Sequence, residues 1–89
     1  MSSYTFDELR DIVLDLIEPK LALRGFERSS IPGDTDLLTS RILDSFDILN
    51  LVVEIEDSTG VSIDLSQFDS NTFTTLEGLV KEILRQQPA

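Results

Sequence analysis

Leu43-Asp44-Ser45-Phe46-Asp47-Ile48-Leu49-Asn50-Leu51-Val52-Val53-Glu54-Ile55-Glu56-Asp57-Ser58-Thr59-Gly60 is the stretch on which the fold turns. It is the longest apolar segment of the chain, it opens on a residue type that caps helices, and it stops at a glycine. These are the marks of a helix from about Ser45 to Ser58 with Gly60 as its C-terminal stop. At about 100° per residue, Phe46, Ile48, Leu49, Leu51, Val52, Val53 and Ile55 cover an arc of roughly 220°, against the ~100° that one buried stripe requires. Ile48, Leu51 and Ile55 gather near one end of the arc and predict core. Phe46 and Val53 gather at the other end, beside Asn50 and Asp57, and predict an exposed rim. Ser45 stands at the helix entry, where a serine oxygen ordinarily satisfies an orphan backbone N–H and stabilises by about 1 kcal/mol.

Upstream, Thr5-Phe6-Asp7-Glu8 fits a capping box, with Tyr4 and Leu9 spaced as a hydrophobic staple. Phe6, Leu9, Ile12, Val13, Leu16 and Ile17 recur at helical spacing, so a first helix starts here. Pro19 either ends it or opens a short second piece through Leu23, closed by Gly25. From Phe26 to Leu43 the chain reads as a long connection, marked by Ser29-Ser30, Pro32-Gly33 and Asp34-Thr35-Asp36; connections of this length in a small domain are usually functional. Downstream, Val61 to Asp64 is the one brief alternating run, and a single helical turn is predicted around Leu65 to Phe68. Thr74-Thr75-Leu76-Glu77 reads as a second capping box. It opens a last helix on Leu76, Leu79, Val80, Ile83 and Leu84, weakened at Gly78 by about 1 kcal/mol relative to alanine and fraying from Gln86 to Ala89. The predicted fold is all-α, a small antiparallel four-helix bundle of three main helices and one short one, forming a single domain over residues 1–89.

A chain of 89 residues holds one modest core and leaves no room for a large catalytic cavity. Cysteine and histidine are both absent, which removes disulfides, thiolate chemistry, the ordinary Ser-His and Cys-His nucleophiles and the usual zinc sites. The net charge is −10, and between Ile42 and Val80 stand eight acidic residues (Asp44, Asp47, Glu54, Glu56, Asp57, Asp64, Asp69 and Glu77) with no lysine or arginine. Such a surface repels nucleic acid and anionic membranes and steers basic partners toward it. The N-terminus has neither a basic nor an apolar leader segment, and no long uncharged apolar run follows, so a soluble cytoplasmic protein without a membrane span, acting as a monomer, is expected.

The Leu43-Asp44-Ser45-Phe46-Asp47 motif, the acidic-apolar helix after it, Gly60, Val61-Ser62-Ile63 and the closing Thr74-Thr75 helix together resemble acyl carrier proteins and the related peptidyl and D-alanyl carrier proteins. The resemblance covers nearly the whole chain. It implies that Ser45 receives 4′-phosphopantetheine, with Asp44 and Phe46 as flanking motif, and that the thiol of the arm holds acyl or aminoacyl groups as thioesters. It implies a carrier and not an enzyme, with no catalytic residues of its own. The partners implied are a phosphopantetheinyl transferase and the ligase, synthase or transferase enzymes that load and use the cargo. Docking is implied at the start and outer face of the second helix, at Phe46, Asp47, Val53, Glu56 and Asp57; the rim read from the wheel contains Phe46, Val53 and Asp57, whereas Glu56 falls inside the apolar arc. A phosphodiester on Ser45 would meet the N–H groups and positive dipole end of a helix.

One departure stands out. The family often has a glycine three or four residues before the serine, where this chain has Ile42 and Arg41; Arg41 would pair with the phosphate, or with Asp44 or Asp47. The Leu-Asp-Ser-Phe form, Phe68-Asp69 and the Phe73 to Thr75 segment look closer to discrete D-alanyl or specialised carriers than to housekeeping fatty-acid carriers. Two rivals remain. A calcium loop begun at Asp34 puts Leu38 at a ligand position, Thr39 at the required glycine and Ser45 at the bidentate glutamate, and it fails. An unmodified acidic helical adaptor that binds basic partners differs from the carrier only in whether a transferase accepts Ser45.

Overall fold

Thr5 and Glu8 exchange hydrogen bonds as a capping box, the Glu8 amide donating to Thr5 Oγ1 at 3.2 Å and the Thr5 amide to Glu8 Oε1 at 2.9 Å. They open α1, Phe6–Leu23, in a computed structural model that describes residues 3–67 and 74–87. Two further α-helices follow, α2 over Ser45–Thr59 and α3 over Leu76–Gln86, with a 3₁₀ turn at Leu65–Gln67 between them. The chain is all-helical among the described residues. The short fourth helix is there only as that 3₁₀ turn, and Phe68, with Asp69 and Phe73, lies outside the described residues.

Helix α1 is central and packs on both α2 and α3. Its C-terminal end meets the start of α2 through Lys20 and Asp47 at 3.5 Å, and its N-terminal end meets the end of α3 through Tyr4 and Gln87. Both neighbours therefore run antiparallel to it. The buried stripe of α1 is Leu9, Val13, Leu14, Ile17 and Leu21, while Phe6 and Leu16 pack partly buried at its edge.

Pro19 neither ends α1 nor starts a second piece, since the helix runs through it to Leu23. A proline in a helix interior costs about 3 kcal/mol through its missing N–H and its clash with the preceding turn. Burial of Leu21, 1% exposed, offsets much of that by about 2 kcal/mol and holds the last turn in place. The helix stops one turn later, where Gly25 takes a φ of 78° and the Phe26 amide bonds back to the Leu21 carbonyl at 2.9 Å.

The connection between α1 and α2 is part of the core. It contributes Ile31, Leu37, Ile42 and Leu43, all buried. Asp36 organises it: Oδ1 accepts from the amides of Leu38 and Thr39 at 2.9 and 3.0 Å, and Oδ2 accepts from Thr74 Oγ1 at 3.1 Å. These donors, the Thr39 amide foremost, hold the Asp36 carboxyl below its ordinary value. Backbone bonds from Leu37 to Thr74, Leu76 to Thr35 and Glu77 to Gly33 then tie the connection to the start of α3.

Two other expectations are revised. The cap of α3 is Thr75, one residue later than the Thr74 box predicts, because Thr74 is committed to Asp36 and the N3 position then falls on Gly78, which has no side chain to reciprocate. Gln86 and Gln87 are anchored instead of frayed. Gln86 accepts from the Asp64 amide at 2.6 Å and donates to the Asp64 carbonyl at 3.0 Å, and Gln87 makes the matching pair with Tyr4 at 2.8 and 2.6 Å. The alternation of Val61 to Asp64 is genuine in burial, with Val61 and Ile63 inside and Ser62 and Asp64 outside, but no strand pairs with it among the described residues.

Candidate functional site

Helix α2 begins at Ser45, and the residue that caps it is Asp44. The Asp47 amide donates to Asp44 Oδ1 at 2.7 Å and the Asp44 amide to Asp47 Oδ2 at 3.2 Å, a capping box built from two aspartates. This corrects the expectation that the Ser45 oxygen caps the helix. Ser45 occupies the first helical position, its side chain is exposed, and its hydroxyl has no protein partner among the described residues. The backbone amides of Ser45 and Phe46 likewise find no protein acceptor there, as the first N–H groups of a helix do not. The result is a free hydroxyl beside free donors at the positive end of a 15-residue helix, the electrostatic setting that favours a bound phosphate. Residues around Ser45 therefore suit a phosphodiester-linked group: the hydroxyl is accessible, and using it leaves the helix cap intact.

Along α2 the inner face carries Ile48, Leu51, Val52 and Ile55, all buried, including the three residues predicted as core. The outer face carries Phe46, Leu49 and Val53, exposed to 70%, 50% and 55%. Phe46, Leu49 and Val53 follow one another at helical spacing from the serine, and Asp57 continues the same line. Three large apolar side chains thus stand in water on one helix face.

The structure places the five residues singled out for docking unequally. Phe46, Val53 and Asp57 are exposed and their side chains have no polar partner among the described residues. Asp47 is committed to the Asp44 amide and to Lys20. Glu56 turns inward along the chain, its Oε2 accepting from the Ile63 amide at 3.1 Å, so it latches the segment after α2. Glu54 was not singled out and is exposed and unpaired on the described surface. The 220° arc already contained Leu49; a single helix wheel has no means of telling which part of so wide an arc α1 covers.

Beside Ser45 lies a groove of about 690 Å³ between the end of α1 and the connection that leads into α2. Leu23, Leu38 and Ile42 contribute apolar walls, and Lys20, Arg24 and Arg41 contribute positive charge. Arg41 has a φ of 62°, the left-handed region that favours glycine, four residues before Ser45. Its carbonyl accepts from Arg24 Nε at 2.9 Å, while its guanidinium has no carboxylate within ion-pair distance among the described residues. Pairing of Arg41 with Asp44 or Asp47 is thus not observed.

The family model described as "Phosphopantetheine attachment site" matches residues 8–83. The chain is 26% identical over 76 residues to proteins named D-alanyl carrier protein from Bacillus cereus and Bacillus anthracis, a match that covers 85% of this chain and 92% of each relative. No solved structure matches it. Among the described residues no helix is long and apolar enough to cross a membrane. With the match spanning most of the described helices, the chain belongs to the phosphopantetheine attachment site family, carriers that take 4′-phosphopantetheine and are substrates of modifying and loading enzymes instead of catalysts.

Proposed function

We propose that Ser45 is the attachment residue and that the chain shuttles acyl or aminoacyl groups, held as thioesters on the arm, between the enzymes of a biosynthetic pathway. The observation that carries this is the free, exposed Ser45 hydroxyl at the first position of a helix whose cap is supplied by its neighbour. Modification transfers the phosphopantetheine moiety of coenzyme A: a bond forms between Ser45 Oγ and phosphorus, the pyrophosphate bridge breaks, and adenosine 3′,5′-bisphosphate leaves. The hydroxyl proton goes to the transferase, since this chain holds no histidine or cysteine beside Ser45 to accept it.

Within this proposal residues 1–89 act as one monomeric carrier unit in the cytoplasm, in the four-helix form of the family with its short element around Leu65. The exposed face of Phe46, Leu49, Val53 and Asp57 receives partner enzymes, whose basic patches the acidic surface attracts. The names of the Bacillus relatives favour an aminoacyl cargo of the D-alanyl kind over a fatty acyl chain. An unmodified acidic adaptor is the alternative. Intact mass after incubation with coenzyme A, magnesium and a broad-specificity phosphopantetheinyl transferase separates them. One added arm on the parent and none on Ser45→Ala supports the carrier; no addition to a folded parent across several transferases leaves the adaptor.

A further inference from the structure

The chain carries a net charge of −10, yet three of its seven basic residues, Lys20, Arg24 and Arg41, line a groove that opens beside Ser45. The two carboxylates that share the groove are already engaged. Asp44 and Asp47 cap α2 with each other, and Asp47 Oδ1 also meets Lys20 at 3.5 Å. Of the cations lining the groove, Arg41 and Arg24 have no ion pair among the described residues, and Arg24 gives only its Nε to the Arg41 carbonyl. Lys20 and Arg24 sit at the negative end of α1, and the helix dipole accounts for cations there. Arg41 has no such reason. It lies in the connection, in a backbone conformation that a glycine would adopt at lower cost, and Arg24 Nε fixes that conformation through the Arg41 carbonyl.

We propose that this groove seats the phosphodiester end of the arm, with Arg41 and Arg24 as its counter-cations. The inference rests on Ser45 being the attachment residue. Guanidinium groups match phosphate oxygens in paired, charge-assisted hydrogen bonds, and two of them from different elements converge here on the residue that would bear the phosphate. Three cations against two carboxylates leave the groove with one net positive charge, which the single negative charge of a phosphodiester neutralises. The walls of Leu23, Leu38 and Ile42 would cover the apolar flank of the arm next to it. Leu23 is 79% exposed at the groove's edge, which leaves it available for that contact.

The test uses the full-length chain, converted from the unmodified to the modified form with coenzyme A and a transferase and followed by intact mass. Phosphorus-31 NMR of the phosphodiester and nitrogen-15 NMR of the arginine Nε–H groups are then recorded. The expected result is a shift of the Arg41 and Arg24 Nε–H signals on modification. The phosphorus line moves in Arg41→Gln, returns toward the parent position in Arg41→Lys, and becomes alike in all three at 1 M salt, where charges are screened beyond about 3 Å. Far-ultraviolet circular dichroism confirms that the variants are folded. Full modification with both arginine signals unmoved and the phosphorus line insensitive to Arg41→Gln overturns this inference and leaves the carrier function standing. No mass gain on the folded parent overturns both.

Discussion

Asp44 and Asp47 exchange two hydrogen bonds across the first turn of α2, and Ser45, lying between them, takes no part. Two aspartates sharing this exchange do the capping that a serine could have done, so the Ser45 hydroxyl has no part in holding the helix. In the proposed function, cap and attachment residue are separated at adjacent positions in the chain.

Asp44→Ala and Ser45→Ala accordingly behave differently. Asp44→Ala removes the cap and costs about 1 kcal/mol of stability. Ser45→Ala changes stability by less than about 0.5 kcal/mol, the range of a surface substitution, while abolishing modification. Thermal unfolding and intact mass on both variants check this; a larger loss in Ser45→Ala than in Asp44→Ala would reverse the assignment of the cap.

Arg41→Gly stabilises the protein. Left-handed backbone costs a residue with a side chain about 1–2 kcal/mol, and glycine's extra freedom when unfolded takes back part of that, so a gain of about 0.5–1 kcal/mol is expected. The denaturation midpoint rises if the strain at Arg41 is real and falls if the side chain contributes more than the strain costs.

Asp36 ties the long connection to α3, and its carboxyl is held below the ordinary value of 3.8, chiefly by the Thr39 amide. A depressed carboxylate contributes stability above its unfolded pKa and loses it as pH falls through the folded one. That contribution is therefore complete above about pH 4 and disappears below it. Asp64 is lowered in the same sense by the Ser66 hydroxyl and adds to the same acid limb. Asp36→Asn lowers stability at neutral pH by about 1 kcal/mol and flattens, without abolishing, the fall in stability below pH 4. Urea unfolding at pH 7 and pH 3 measures both effects.

Phe46→Ala and Val53→Ala leave stability within about 0.5 kcal/mol of the parent, since both side chains are already in water. Their effect falls on the rate at which the transferase and loading enzymes act. Charge reversal is best placed at Glu54 and Asp57, whose carboxylates have no partner among the described residues, because reversal at Asp47 would also break the cap. Glu54→Lys with Asp57→Lys slows modification and weakens its dependence on salt. Rates that are equal in parent and variant across salt would remove electrostatic steering from this surface.

Much of the molecule was legible in the chain because it is local. The Thr5 box, the stop at Gly60, and the core group Ile48, Leu51 and Ile55 follow from spacing within one or two helical turns, and the structure has all of them. Most misreadings share a cause. Pro19 inside α1, the cap displaced from Thr74 to Thr75 and the anchoring of Gln86 and Gln87 each depend on a partner far along the chain or on packing against another helix, whereas the Asp44 cap and the latch of Glu56 to Ile63 are local contacts.

The sequence alone determined that this is a small acidic all-helical chain, that its second helix is too widely apolar to be wholly buried, and that Ser45 stands at that helix's entry. Composition, periodicity and the residue before a helix are properties of neighbouring positions, and they survive without knowledge of the fold. The tertiary structure alone decided that Pro19 stays inside α1 and that Lys20, Arg24 and Arg41 converge on the groove beside Ser45. Those outcomes depend on which side chains α1 and the long connection bring against α2, and that is settled only when the shared core of Leu21, Leu37, Ile42, Leu43 and Ile48 closes.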